Sequence, residues 1–275
     1  MSVNKLALFA IFFILIAALS STGPPRTTSA PNATAMRAFL ESQYVPEAGL
    51  LRASVVSYPD NETIWLANDN LLAARALRLL NSSLWKNVSR SLARHGVAFN
   101  GRIDPLLGKP LGGFFCPEFR TLGRVYSKKF NATFTIKLET ANRSCIMQDW
   151  RSYADLVVYG ALSDLLRGNR SEAFHLYSHL LSMWDGNGFR DKAFSGVYQS
   201  YKCALFIYIY RSLGKPEEGR TVYLRCLKIL TALQLKDGGI VTGYRTENGK
   251  IVPDGDPNTE TTAMTIIGLY GRPVS

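Results

Sequence analysis

The sequence predicts a mainly α protein of antiparallel helical hairpins, with inner and outer helices and a small β-containing insertion at about residues 97–148. Two observations favour this fold class. Helices with a single apolar face alternate along the chain with helices that are apolar on all sides, as expected for an outer and an inner layer. The turns from inner to outer helices are short, whereas the connections back are long. Because successive helices run antiparallel, the long loops are expected at one end of the molecule.

The individual helices are predicted from runs of helix-forming residues with apolar positions three and four residues apart. Amphipathic helices are expected to begin near residues 33, 82, 171 and 216, and helices that are apolar all round near residues 63, 149, 196 and 258. The apolar run at 204–210 is compatible with a strand, but its length and neighbours favour a buried helix. Glycine and proline cluster after residue 97, and residues 131–138 alternate in polarity, which predicts a strand.

The N-terminal segment predicts export. The uncharged apolar run at residues 6–19 follows Lys5 and precedes small residues, which is typical of a signal peptide over residues 1–20. A membrane-spanning helix needs about 20 apolar residues, so an uncleaved anchor through residues 6–19 is the second choice. Residues 21–32 are predicted to form a flexible linker, and residues 33–275 a single domain.

Two further features agree with an extracellular glycoprotein. The glycosylation pattern N-x-[ST] occurs more often than the roughly two matches that chance would give, although a serine- and threonine-rich surface without glycans would look the same. It is found at Asn32, Asn61, Asn81, Asn87, Asn131, Asn142 and Asn169. The chain also has four cysteines without metal-site spacing, which fits an oxidising compartment.

The four cysteines allow three fully paired connectivities. If the turn between two helices is centred between Gly214 and Lys215, Cys203 and Cys226 lie equally far from it, about 16 Å along each helix. We therefore expect Cys203 to pair with Cys226. That pairing leaves Cys116 to pair with Cys145 within the insertion. The alternative is that the cysteines are free buried thiols.

Composition excludes several classes of protein. Hydrophobic residues make up 47% of the 275 residues, which excludes a disordered chain. The net charge of +11 indicates attraction to an anionic cell envelope, and nucleic-acid binding is not expected of an exported protein. His175 and His179 are four residues apart but lack an HExxH pattern, and the sequence contains no nucleotide-binding glycine motif. No metal or cofactor is predicted, and the oligomeric state is left open.

Three segments resemble the α/α-toroid proteins, notably the six-hairpin glycosidases and related polysaccharide lyases. They are the loop at 234–239, the segment at 256–263 that follows it, and the segment at 63–70. The resemblance implies an α/α-hairpin toroid, or an open horseshoe because only about four hairpins can be counted. It also implies a substrate cleft among the long loops and the first turns of the inner helices.

Glycoside hydrolysis needs two carboxyl groups across the sugar bond, together with aromatic side chains that stack on the ring. Asp69 and Glu260 are the preferred catalytic pair, because each is predicted about one turn inside a mostly apolar helix, where an unpaired carboxylate is costly. Either could instead cap a helix or pair with an arginine. Asp155 and Asp185 are alternates. The candidate substrate-binding residues are Trp65, Asn70, Trp150, Tyr153, Trp184, Arg190 and Tyr201.

Two other functions fit the same residues. A polyuronate lyase would need cations to neutralise the substrate carboxylate and a tyrosine to move the proton, and Arg190, Lys192, Tyr198, Tyr201 and Lys202 lie close together in the sequence. A non-catalytic cell-envelope glycoprotein would use the cleft to hold a glycan or a partner. Carboxylates that are tied to cations or to helix N-termini would favour this last function.

Overall fold

The computed structural model describes residues 30–274. Over these residues the chain has a mixed α/β fold with three small sheets, so the prediction of a mainly α toroid or open horseshoe is wrong. The predicted signal peptide or anchor at residues 1–20 and most of the predicted linker lie outside the described residues. Within residues 30–274, no helix is both long and apolar enough to cross a membrane.

Four buried helices form the centre of the molecule. In the order in which they pack they are α4, α6, α8 and α2, and each is flanked by one further helix, α5, α7, α1 and α3 respectively. Apolar residues surround most of each central helix, which explains its burial. The helix bounds are α1 (Ala33–Ser42), α2 (Leu71–Leu79), α3 (Trp85–Arg94), α4 (Ala154–Leu166), α5 (Arg170–Ser182), α6 (Ser200–Ser212), α7 (Arg220–Ala232) and α8 (Thr259–Tyr270).

The sheets account for the difference from a mainly α fold. The first is a small pair, β1 (Tyr44–Val45) with β2 (Leu50–Leu51). In the second, β5 lies between β3, to which it is parallel, and β4, to which it is antiparallel. The third has the order β6-β7-β8 and is antiparallel. The remaining bounds are β3 (Thr63–Trp65), β4 (Phe115–Ser127), β5 (Ala132–Ile146), β6 (Tyr198–Gln199), β7 (Val241–Glu247) and β8 (Lys250–Pro257).

The hairpin β7–β8 occupies a connection for which the sequence analysis expected only a loop. Its turn is formed by Asn248 and Gly249, which both have positive φ (50° and 74°). A two-residue hairpin turn of this kind favours Asn-Gly, because both positions require the left-handed region. The dipeptide was therefore a strand signal that the analysis missed.

Several helices begin later than predicted. The helix expected from residue 63 begins at Leu71, because residues 63–65 pair with β5 and residues 66–70 form a π-helical turn. The helix expected from residue 196 begins at Ser200, after the short strand β6. In both cases a partner strand distant in sequence competes with helix propensity and prevails.

Both predicted disulfides are present. Cys203–Cys226 joins α6 to α7 with a Cα–Cα distance of 4.9 Å, and Cys116–Cys145 joins β4 to β5 at 5.4 Å. The alternative of free buried thiols is therefore wrong for all four cysteines. Two disulfides are compatible with an extracellular protein.

Candidate functional site

A polar cavity of about 170 Å³ lies where the first turns of α4, α6 and α8 meet the π-helical turn before α2. Asp155, Tyr201 and Glu260 are each the second residue of their helix, so three helix N-termini converge on this cavity. Helix N-termini carry a partial positive charge that favours nearby carboxylates. The lining residues are Asn68, Arg102, Ile103, Asp155, Tyr159, Tyr201 and Glu260.

The Glu260 carboxyl group has a pKa near neutral pH. Burial, together with the negative charge of Glu139, raises the pKa of its carboxyl to about 7, and the positive charge of Arg102 opposes that rise. A carboxyl group of this kind still holds its proton in much of the population near neutral pH. Glu260 can therefore donate a proton, which an ordinary carboxylate cannot do at that pH.

Asp155 lies in a different electrostatic environment. Burial raises the pKa of its carboxyl, but the charges of Lys202 and Arg102 oppose that rise. Lys202 is itself buried and bonded to Asp191, with Nζ 2.6 Å from Oδ2. Lys202 and Arg102 thus favour the ionised form of Asp155, although burial keeps its pKa above the ordinary value, whereas Arg102 favours the ionised form of Glu260.

Glu139 fixes one wall of the cavity. Its carboxylate forms an ion pair with Arg102 (3.1 Å) and accepts a hydrogen bond from the Asn68 side-chain amide. The Asn68 side chain in turn accepts a hydrogen bond of 2.5 Å from Asn100. This network holds Arg102 and Asn68 at the cavity surface. Glu139 is committed to these partners and is only 7% exposed.

Asp69 of the predicted catalytic pair lies beside the cavity but does not form part of its wall. The side chain is 5% exposed and belongs to the π-helical turn. Burial raises the pKa of its carboxyl well above the ordinary value, and the negative charges of Glu260, Asp60 and Glu139 add to the rise. The charge of Glu260 thus acts on the titration of Asp69, and of this pair only Glu260 lines the cavity.

Two tyrosines complete the cavity. Burial raises the pKa of both Tyr159 and Tyr201 well above the ordinary value, so both hydroxyls stay protonated. The Tyr201 hydroxyl donates to Gln199 Oε1 at 3.0 Å. Protonated phenols and the Arg102 guanidinium are donors suited to the hydroxyl groups of a polar ligand.

Four of the residues predicted to bind substrate lie outside the cavity lining and make structural contacts instead. Asn70 is fully buried and exchanges hydrogen bonds with the backbone of Leu51, so it anchors β2. Trp150 stacks on Phe114 with ring centroids 4.2 Å apart. Trp65 lies on β3, and Tyr153 is the residue before α4, where the Lys192 ammonium is 5.9 Å from its ring.

The remaining predicted residues lie in the loop between α5 and α6. The Tyr198 hydroxyl donates to Asp185 Oδ2 at 2.6 Å, and Asp185 Oδ1 accepts from two backbone amides of the same loop. Trp184 packs edge-on against Phe189, and Arg190 lies over Phe194. These contacts satisfy Asp185 and organise the loop, and none of these residues lines the cavity.

Sequence reasoning missed four residues of the site: Asn68, Arg102, Glu139 and Tyr159. Arg102 and Glu139 lie in the region predicted to be an insertion, and no local pattern links them to the helix N-termini. Asn68 directly precedes Asp69 in the π-helical turn, and Tyr159 follows Asp155 by four residues on α4. Helical spacing was therefore the signal available for Tyr159, which lies one turn after Asp155.

Within residues 30–274, no group of three or more histidine, cysteine or acidic residues is arranged to hold a metal ion. Four of the seven predicted glycosylation sites, Asn32, Asn81, Asn131 and Asn169, are exposed, and Asn61, Asn87 and Asn142 are half-buried.

Comparison with family models, with curated proteins and with solved structures finds no match to this chain.

Proposed function

We propose that the protein is an exported carbohydrate-active enzyme of the glycoside hydrolase type and that the polar cavity is its catalytic centre. One observation supports this proposal most strongly. Glu260, with a pKa of about 7, lines the same cavity as Asp155, whose ionised form is supported by Lys202 and Arg102. Two carboxyl groups in unequal environments are what acid–base cleavage of a glycosidic bond requires.

The roles follow from the two environments. Glu260 gives its proton to the glycosidic oxygen as the bond to the sugar breaks. In the same step Asp155 either takes a proton from a water that attacks the sugar carbon or attacks that carbon itself. In the second case a water then hydrolyses the ester between the sugar and Asp155 and returns a proton to Glu260. Asp155 replaces Asp69 in this role, because Asp69 does not line the cavity. Arg102 and Tyr159 donate hydrogen bonds to substrate hydroxyls, and the Tyr201 hydroxyl, whose proton is donated to Gln199, accepts one.

The size and charge of the cavity indicate the substrate class. A volume of about 170 Å³ is smaller than the range of about 300–1,000 Å³ that is usual for sites of small organic ligands, which suits one sugar ring rather than a chain. We therefore propose action on a terminal sugar. Arg102 in the cavity wall and Lys202 beside it are already paired with Glu139 and Asp191, so neither is free to neutralise the carboxylate of a uronic acid, which argues against the polyuronate lyase alternative.

The non-catalytic alternative rests on a specific observation. Glu139 is tied to Arg102, and Asp191 is tied to Lys202 and to the backbone amide of Ala154. Carboxylates held in this way build a rigid polar site that binds a sugar without cleaving it. The two functions differ only in whether Glu260 transfers its proton.

Release of sugar from aryl glycosides and from polysaccharides tests the proposal. We expect Glu260→Gln and Asp155→Asn each to lower kcat/KM by a factor of about 10² to 10⁴, with little change in sugar affinity. Glu118→Gln, at an exposed position on β4, is the matched control and should retain full activity. Cleavage that persists in both cavity variants would overturn the catalytic assignment. Sugar binding by calorimetry without cleavage by the folded wild-type protein would establish the non-catalytic alternative.

A further inference from the structure

A second and larger cleft lies on the other side of one cavity wall. Its volume is about 450 Å³, and residues that shape it include Asp104, Lys109, Leu111, Phe115, Arg143 and Arg167. The segment at 101–104 separates the two spaces, since Arg102 and Ile103 line the small cavity while Gly101 and Asp104 line the cleft. The volume lies within the range of about 300–1,000 Å³ that is usual for sites of small organic ligands.

The cleft is strongly basic. Lys109 comes from the loop after the short helix Asp104–Leu107, Arg143 from β5, and Arg167 from the end of α4, so three separate elements bring their cations together. Arg167 is held in place by the Leu111 carbonyl oxygen, to which it donates, and by Asp164 at 3.9 Å. The Lys109 ammonium lies 4.2 Å from the centre of the Phe99 ring.

Asp164, outside the cleft lining, already pairs with Arg167, whereas the one acidic side chain in the cleft wall, Asp104, accepts from backbone amides instead. Asp104 is 4% exposed, and its Oδ1 accepts hydrogen bonds of 2.9 Å from the backbone amides of Asn100 and Gly101. Asp104 thus stabilises the turn at residues 100–104, which forms the wall between the cleft and the small cavity. Leu111 and Phe115 add an apolar surface to the same cleft, so a ligand bound there can contact both cations and an apolar surface.

We propose that this cleft binds an acidic sugar, with the carboxylate or phosphate group held by Lys109, Arg143 and Arg167 and the apolar face of the ring placed against Leu111 and Phe115. Arginine binds carboxylate and phosphate through paired N–H groups, which makes it the preferred residue for such a site. The site is distinct from the small cavity and does not depend on hydrolysis there. The net charge of +11 adds long-range attraction for an anionic ligand.

Calorimetry with three probes tests the proposal: a galacturonic acid trimer, the same trimer as its methyl ester, and inorganic phosphate alone. We expect the acid to bind at least about tenfold more tightly than the ester, because the ester loses the charge-assisted hydrogen bonds. Arg143→Gln and Lys109→Gln should each weaken binding of the acid about tenfold. Binding of phosphate alone, without the acid trimer, would overturn the assignment to a sugar.

Two controls make the result specific. Arg124→Gln removes an exposed cation of β4 outside the cleft and should leave binding unchanged, so an equal loss in this variant would reduce the effect to net charge and overturn the proposal. Glu260→Gln should also leave it unchanged, which separates the cleft from the proposed catalytic centre. Asn142 belongs to a predicted glycosylation site beside Arg143, and a glycan there would complicate the comparison. The wild-type protein and every variant in this experiment therefore carry Ser144→Ala. That change removes the pattern while the hydrogen bond from the backbone amide of residue 144 to Asn142 Oδ1 (3.0 Å) is kept.

Discussion

Lys202 and Asp191 form a buried ion pair beside the cavity, with Nζ 2.6 Å from Oδ2 and side chains that are 3% and 0% exposed. The same Asp191 oxygen accepts a hydrogen bond of 2.8 Å from the backbone amide of Ala154, at the start of α4. One carboxylate thus joins the loop before α6 to the beginnings of two helices that supply Asp155 and Tyr201. The geometry of the cavity depends on this pair.

Asp191→Asn should lower the free energy of unfolding by about 3–5 kcal/mol, because Lys202 is left buried without a counter-charge. Urea denaturation at pH 7 measures the loss. Asp149→Asn is the matched control, since Asp149 pairs with Lys192 at 2.5 Å but the two side chains are 42% and 57% exposed. An exposed pair contributes at most about 1 kcal/mol. Equal losses in the two variants would contradict the structural role of the buried pair.

Glu260 should make the protein less stable as pH rises. The pKa of its carboxyl is about 7 in the folded protein and near 4.5 in the unfolded chain, so the folded protein retains a proton that the unfolded chain has released. The stability contributed by that proton is present below pH 4.5 and is lost as the pH rises to about 7. Wild type should lose about 2–3 kcal/mol relative to Glu260→Gln between pH 4.5 and 8. Urea denaturation of both proteins at several pH values checks this, and a constant difference between them would contradict the raised pKa.

The raised pKa of Glu260 should also set the upper pH limit of the enzymatic activity. If Glu260 is the proton donor, kcat/KM for an aryl glycoside falls above about pH 7, because the free enzyme then loses the proton that it must donate. A substrate with a strongly acidic phenol as leaving group needs less protonation and should show a smaller fall. A pH profile that is flat from 5 to 9 for both substrates would exclude Glu260 as the acid.

The two disulfides should differ in their accessibility to reductant. Cys203 and Cys226 are 1% and 0% exposed, whereas Cys116 and Cys145 are only half-buried on the β4–β5 ribbon. Dithiothreitol under native conditions should therefore reduce Cys116–Cys145 first, and alkylation followed by mass spectrometry identifies the bond. In urea both bonds should be reduced together. First reduction of Cys203–Cys226 in the folded protein would contradict the packing of α6 against α7.

The helical hairpins and the cysteine pairs were predictable because both depend on local spacing. The apolar pattern located α1, α5 and α8 to within a residue or two, and the equal distances from the Gly214–Lys215 turn identified the partner of Cys203. Glu260 was singled out because a carboxyl within an apolar helix is costly, and the structure places it in the cavity wall. These inferences needed no knowledge of the packing between distant segments.

The strands and the position of Asp69 depended on packing between segments that are distant in the sequence. Residues 63–65 form a strand because β5 lies beside them, and Trp65 consequently faces Phe119 at 5.6 Å on the sheet instead of lying within a helix. Asp69, chosen from the same predicted helix, is buried behind the cavity wall for the same reason. A residue's secondary structure here was decided by hydrogen bonds to a segment about seventy residues away.

Apolar periodicity and cysteine positions follow from local geometry, so the helical core and the two disulfides could be inferred from the amino-acid pattern. The mixed α/β fold, and the cavity that Arg102, held by Glu139, shares with Asp155 and Glu260, required the packing of distant segments. Strand pairing and pKa values depend on neighbours in space, which a local pattern does not contain. A carboxyl near neutral pKa arises only when burial and other charges, brought from distant parts of the chain, act on it together.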